Sequence, residues 1–144
     1  MTDRGSGVFC ETPIDVDGIR RRESDLYAVF VFPTAGIVDR SSFFSAVKST
    51  LPLDPPVMGN HVWDALSDSL WQGLYELPQR RIAIVWPGAQ AMGDGAPADF
   101  EIALSVLTDV TAGLADTRAT LGRTKEVAVF VECQVSRPSN FAAR

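Results

Sequence analysis

The chain has few of the residues that catalytic and metal sites usually require. Its 144 residues include one histidine, His61, and two cysteines, Cys10 and Cys133. Two cysteines at opposite ends, without CxxC spacing, make neither a zinc site nor a disulfide framework, so we interpret both as reduced thiols. No serine elbow or metal-binding cluster accompanies His61, which we interpret as a helix-start or loop contact. We therefore expect no enzyme activity, no metal and no cofactor.

Long apolar runs are also absent. No segment reaches the roughly 18 consecutive apolar residues of a membrane span. The first residues, MTDRGSG, lack the positive stretch and apolar run of a signal peptide. We expect a cytoplasmic protein that does not bind membranes.

Basic residues are scarce in the middle of the chain. The net charge of the chain is −5. Residues 49–117 hold nine acids and two bases, a net charge of −7, so the remaining residues sum to +2. Binding to a nucleic-acid backbone requires clustered Lys and Arg, so we expect no direct nucleic-acid binding. The acidic segment could attract a basic partner protein, or its charges could simply keep a small domain soluble.

Three continuous apolar runs, 27–32, 82–86 and 127–131, are typical of buried parallel strands. The shorter run 8–10 predicts an edge strand, and residues 15–22 predict a short crossover helix. Further helices are expected from 39 or 41 through Val47, over about 61–74, and over about 98–114. The alternation predicts one α/β domain over 1–144, with a three- to four-stranded parallel sheet covered by helices and a flexible tail at 134–144.

A glycine-rich stretch at 87–97 lies between a predicted strand and a predicted helix, as phosphate-binding loops do. It lacks both the Gly-Lys-Ser/Thr ending and the GxGxxG spacing. Its one charge, Asp94, would repel phosphate. We predict that this stretch does not bind phosphate.

The second of the three longer helices has an unusual outward face. At about 100° per residue, one stripe is apolar and packs on the sheet, while a separate stripe carries two acids and then two aromatics. Like charges four residues apart cost a helix a few tenths of a kcal/mol, so stability alone does not explain this face. Exposed aromatics beside acids are typical of interface anchors. The apolar stripe is Trp63, Leu66, Leu70 and Leu74, and the outward stripe is Asp64, Asp68, Trp71 and Tyr75.

Each residue of this outward stripe also has a structural explanation. Asp64 lies in the first helical turn, where the helix dipole favours a carboxylate. Asp68 could be a solvated charge, and Trp71 borders the apolar stripe and could belong to the core. Of the two aromatic residues, Tyr75 is better placed than Trp71 to be exposed to solvent.

Residues 59–70, GNHVWDALSDSL, resemble the Gly-x-Asn-Trp/Leu-Asp-Ala-Leu-Trp-Asp-x-Leu motif of the barstar family, the intracellular inhibitors of barnase-type ribonucleases. Residues 63–66 and the Asp68-x-Leu70 element match best. The order of strands, helices and proline-containing loops also agrees over about residues 8–132. The resemblance implies a barstar-like three-layer domain, with an extra N-terminal strand and helix at 8–25.

The resemblance also implies a mechanism, in which a helix carboxylate occupies the place of a substrate phosphate in the active site of the ribonuclease. By motif position that carboxylate is Asp68, and Asp109 is the best candidate on the long third helix. The expected partner is a basic, extracellular-type ribonuclease or a related toxin, and the chain would be its immunity protein. The predicted partner-binding residues are Gly59, Asn60, His61, Asp64, Asp68, Trp71, Tyr75 and Glu76.

The sequence departs from the family pattern in three places. Val57-Met58 replaces an aromatic pair, Ser67 replaces the tryptophan before Asp68, and the Asn60-to-Trp63 spacing is one residue longer. These departures favour an alternative, an antitoxin or binding protein for a partner that is not a ribonuclease. A small hydrolase is a third hypothesis. Asp64 and Asp68 could contact a divalent cation, but two carboxylates without further oxygen ligands make a weak site.

Overall fold

A computed structural model describes residues 5–133 as a four-stranded, all-parallel sheet with helices on both faces. The strand order is β1-β4-β3-β2. The strands are β1 (Gly7–Glu11), β2 (Tyr27–Val31), β3 (Arg81–Trp86) and β4 (Glu126–Glu132). The helices are α1 (Val16–Arg20), α2 (Arg40–Thr50), α3 (Trp63–Tyr75), α4 (Gln90–Gly95) and α5 (Pro97–Ala115).

The predicted α/β fold is confirmed. The three continuous apolar runs form β2, β3 and β4, and the short run at 8–10 forms β1, which pairs in parallel with β4 at the sheet edge. The short helix α4 was not predicted, because the glycines around it weaken any helical pattern. The predicted flexible tail, 134–144, lies outside the described residues.

Successive strand residues point to opposite faces of the sheet and so supply two separate cores. On one face, the side chains of Phe32 and Trp86 pack with α2, α3 and α5. On the other face, Ile19 of α1 joins Val29 and Phe130. These two cores make the three-layer arrangement that the resemblance implies.

The N-terminus of α2 is fixed by a capping box. The Asp39 carboxylate accepts a hydrogen bond from the Ser42 backbone N–H at 2.9 Å, and the Ser42 hydroxyl oxygen accepts one from the Asp39 N–H at 3.0 Å. The hydrogen bonds from Ser42 lower the pKa of the Asp39 carboxyl below its ordinary value. The helix therefore starts after Asp39, the earlier of the two predicted capping positions.

The interpretation of the two cysteines as reduced thiols is wrong. The structure joins Cys10 and Cys133 in a disulfide with a Cα–Cα distance of 5.8 Å. Parallel pairing of β1 with β4 sets Cys10 opposite Val131, two residues before Cys133. Residues 123 positions apart in the chain are thereby neighbours, and the bond ties the edge strand to the end of β4.

The glycine-rich stretch is held by internal contacts. The Gly88 backbone N–H donates to the Glu132 carboxylate at 2.8 Å, and the Gln90 side-chain amide donates to Asp94 at 2.9 Å. A carboxylate of the protein therefore already accepts the hydrogen bond of the Gly88 N–H.

In the region 5–133, no helix is both long enough and apolar enough to cross a membrane.

Candidate functional site

The α3 helix is anchored by its apolar stripe. Leu66, Leu70 and Leu74 are fully buried. At the start of the helix, the half-buried Trp63 ring contacts Phe43 and Phe44 of α2, with ring centroids 6.0 and 5.0 Å apart. This packing fixes the direction in which the opposite face of α3 points.

The two acids of the outward face are exposed to solvent. Asp64 and Asp68 lie one helical turn apart, about 6 Å along the axis. Neither carboxylate makes a hydrogen bond or an ion pair with any residue in 5–133. Arg81 instead pairs with Glu126, at 3.5 Å. The α3 helix therefore presents two carboxylates that the described part of the chain does not neutralise.

The aromatic pair of α3 is half-buried and internally held. The Trp71 and Tyr75 rings stack with centroids 4.9 Å apart, and the Tyr75 hydroxyl donates to the Thr120 carbonyl at 2.8 Å. The guanidinium of Arg123 lies over the Tyr75 ring, 5.1 Å from its centroid. Trp71 packs so close to Gly113 of α5 that a Cβ there would lie 2.8 Å from the indole nitrogen. Both rings therefore fix neighbouring segments and expose only part of their surface.

The segment before α3 is tied to α2 through Asn60. The Asn60 side-chain oxygen accepts from the Lys48 ammonium at 2.7 Å, and its nitrogen donates to the Ser41 and Ser45 hydroxyls at 3.2 and 3.4 Å. Gly59 adopts a φ of +78°, a backbone conformation that favours glycine. The adjacent His61 is exposed. Asn60 thus positions the loop, while His61 remains exposed to solvent.

The proline loop, residues 51–56, lies directly on α3. The Asp54 backbone N–H donates to the Ser69 carbonyl at 3.1 Å. A Cβ at Gly73 would lie 2.2 Å from the Pro52 carbonyl oxygen. The close approach of these two backbones therefore requires glycine at position 73.

We expect Gly73→Ala to lower the free energy of unfolding. At an unrestrained helix-interior position the same change stabilises a protein by about 1 kcal/mol. Here the added methyl group must push the proline loop off the helix. Urea denaturation measures the effect, with Ser67→Ala on the same helix as the control. An increase in stability for Gly73→Ala would show that the loop does not contact the helix in this way.

The proline loop also adds an acid to the outward face. Asp54 lies beside Glu76, which follows the last residue of α3 and accepts a hydrogen bond from the Gln72 side chain at 2.9 Å. A hydrogen bond to Glu76 and repulsion by its charge raise the pKa of the Asp54 carboxyl above its ordinary value of 3.8. Two carboxylates are therefore held together at the C-terminal end of the face.

We expect Asp54→Asn to raise the thermal midpoint at neutral pH, because it removes this repulsion. A carboxyl whose pKa is raised on folding binds more protons in the folded state, so wild-type stability falls as pH rises from 3.8 through the raised pKa. The advantage of the variant should therefore grow as pH rises through the raised pKa and vanish at acid pH. Thermal melts at low ionic strength between pH 3 and 7 measure it. An advantage that does not change with pH would contradict the pairing.

The structure brings most of the predicted residues to one surface. We define the α3 face as Asp54, His61, Asp64, Asp68 and Glu76, with the exposed parts of Trp71 and Tyr75. Sequence reasoning missed Asp54, since only the folded proline loop carries it to Glu76. Asp109 of α5 is exposed, and its carboxylate makes no hydrogen bond or ion pair with a residue in the described part of the chain. Within residues 5–133, no group of three or more His, Cys, Asp or Glu side chains could hold a metal ion.

Comparison with known protein families identifies one relevant family. The family described as Barstar (barnase inhibitor) matches residues 27–131. This segment includes β2 to β4, the proline loop and the α3 face, and it leaves β1 and α1 outside. Comparison with curated proteins and with solved structures gives no match.

Proposed function

This chain belongs to the barstar family, and we propose that it is an immunity protein that blocks the active site of a cationic ribonuclease-type toxin. The observation that carries the proposal is the state of Asp68. Its carboxylate is exposed in the middle of a packed helix and has no internal partner among residues 5–133. A ribonuclease active site binds phosphate through cationic side chains, and the same side chains can bind a carboxylate.

The α3 face is suited to this role because it is rigid before binding. Three fully buried leucines hold the helix to the core, and the proline loop braces its other side through Ser69 and Gly73. An anion already held in position loses little conformational entropy when a partner binds. Asp64 and the Asp54–Glu76 pair would extend the negative field on either side of Asp68 and speed the encounter with a basic protein.

The remaining residues of the face would contact the rim of the active site. His61 and the exposed edges of Trp71 and Tyr75 supply ring surface, which is enriched at interfaces. Gly59 and Asn60 would act mainly by setting the path of the loop. We propose that residues 1–144 act as one domain in the cytoplasm and neutralise the toxin before it is secreted. The proposal assigns the chain no catalytic step, no cofactor and no direct contact with nucleic acid.

An inhibition assay tests the proposal. A secreted basic ribonuclease encoded beside this chain is purified, and its hydrolysis of RNA is followed while the chain is titrated in. We expect stoichiometric loss of activity, and a complex that weakens as salt is raised. Full ribonuclease activity in the presence of excess folded chain would reject the inhibitory role.

A second candidate function is neutralisation of a toxin that is not a ribonuclease. Val57-Met58 stands in place of the family's aromatic pair, and Met58 is 86% exposed while Val57 is buried. A flexible thioether at this position offers a different contact surface from two aromatic rings. Capture of a neighbouring basic toxin without ribonuclease activity would favour this candidate.

A further inference from the structure

A basic pocket lies beyond the C-terminal end of α3. It has a volume of about 350 Å³ and is lined by residues 76–78, Arg80 and residues 122–125. Three of the lining side chains are cationic: Arg80, Arg123 and Lys125. In an acidic chain, such a concentration of positive charge requires an explanation.

Lys125 is the unusual member of the pocket. It is only 6% exposed, although lysine is almost never fully buried without a charged partner. Its ammonium donates to the carbonyl oxygens of Leu77 and Gln79, the latter at 2.7 Å. An ammonium group has three protons, and the third has no acceptor among residues 5–133. Burial, together with repulsion by Arg123 and Arg80, lowers the pKa of Lys125 below its ordinary value.

One acid, Glu76, lines the pocket itself. The Glu76 carboxylate is bound to Gln72 and Asp54, and Glu126 pairs with Arg81. Asp116 accepts hydrogen bonds from the backbone N–H groups of residues 118 and 119. Among the lining residues, three cations therefore stand against one carboxylate, which leaves the pocket with a net positive charge.

The pocket is also held in shape before any ligand binds. Arg123 stacks on Tyr75, and the Tyr75 hydroxyl anchors the preceding loop through Thr120. Thr124 also lines the pocket, and a threonine hydroxyl can donate a hydrogen bond. Guanidinium and ammonium groups are the side-chain groups that bind phosphate oxygens most strongly.

We propose that this pocket binds a phosphate group. The two arginines would chelate its oxygens from the rim, and Lys125 would donate its third proton from below. The phosphate could be free or part of a phosphomonoester, since the pocket chemistry recognises the same oxygens in both. This proposal does not depend on the inhibitory role of the α3 face.

Calorimetric titration with inorganic phosphate tests the proposal, with sodium chloride at matched ionic strength as the blank. We expect saturable one-to-one binding to the full chain. Arg80→Gln and Arg123→Gln should each weaken binding about tenfold or more, because each removes a charge-assisted contact. Arg118→Gln, which removes an exposed cation outside the pocket, should change it by less than about twofold.

A second titration with a nucleoside 3′-monophosphate distinguishes the two sources of phosphate. Tighter binding of the monoester would assign the pocket to phosphomonoesters, and equal or weaker binding would assign it to free phosphate. Both results support the proposal if the two arginine variants lose the binding. Heats that do not saturate, that are equal in chloride or acetate, or that survive in both arginine variants would overturn it.

Discussion

Replacing Asp68 with alanine should weaken the complex with the cognate ribonuclease by about 2 kcal/mol or more, roughly a thirtyfold or greater rise in Kd. Measured interface hot spots set this scale, and the type member of the barstar family is among them. The physical reason is that the variant leaves cationic side chains of the enzyme buried without their anion. Isothermal titration calorimetry of the two proteins measures the change.

A matched control separates the role of this carboxylate from that of total charge. Asp17 is also exposed, but it lies in α1 on the opposite side of the sheet. Asp17→Ala should change the affinity by only a few tenths of a kcal/mol, through the long-range field alone. Wild-type affinity in Asp68→Ala would remove Asp68 from the interface, whereas equal losses in both variants would indicate attraction by net charge without a specific site.

Leu70→Ala should lower the free energy of unfolding by about 2–5 kcal/mol. Leu70 is fully buried in the middle of the apolar stripe of α3, so truncation both exposes apolar surface and leaves a cavity against the sheet. Guanidinium denaturation measures the loss. Leu70→Met conserves the side-chain volume and should lower the free energy of unfolding by less than about 1.5 kcal/mol. This variant keeps the prediction testable if Leu70→Ala does not fold.

The same variants test whether α3 must be rigid to function. Under conditions where Leu70→Ala remains folded, a looser helix should raise the Kd for the ribonuclease even though Leu70 itself contacts no partner. A Leu70→Ala loss below about 0.5 kcal/mol would mean that α3 is not docked on the core. The α3 face would then lack the rigid anchoring on the core that the proposed function requires.

The sheet could be predicted from the sequence because its signals are local. Continuous β-branched and aromatic runs mark β2, β3 and β4, and a carboxylate at Asp39 marks the start of α2. The outward face of α3 follows from helical spacing alone, and the family match confirms the resemblance found in the motif at 59–70. These features depend on residues that are neighbours in the chain.

The features that were missed depend on residues distant in the chain. Cys10 and Cys133 meet only because β1 pairs in parallel with β4. Asp54 joins Glu76 only because the proline loop crosses α3 at Gly73, and no sequence spacing encodes that crossing. Lys125 is buried through contacts with carbonyl oxygens 46 and 48 positions earlier in the chain. Sequence reasoning had no signal for these contacts.

Occupying the active site of the ribonuclease with a nucleoside 3′-monophosphate offers the most direct test that the α3 face replaces a phosphate. The chain is titrated into the ribonuclease at increasing mononucleotide concentrations, and phosphate binding to its own pocket is weakened by Arg80→Gln together with Arg123→Gln. The apparent Kd should rise linearly with the free mononucleotide concentration, as it does when two ligands compete for one site. An apparent Kd that stays constant while the active site fills would show that the inhibitor binds elsewhere.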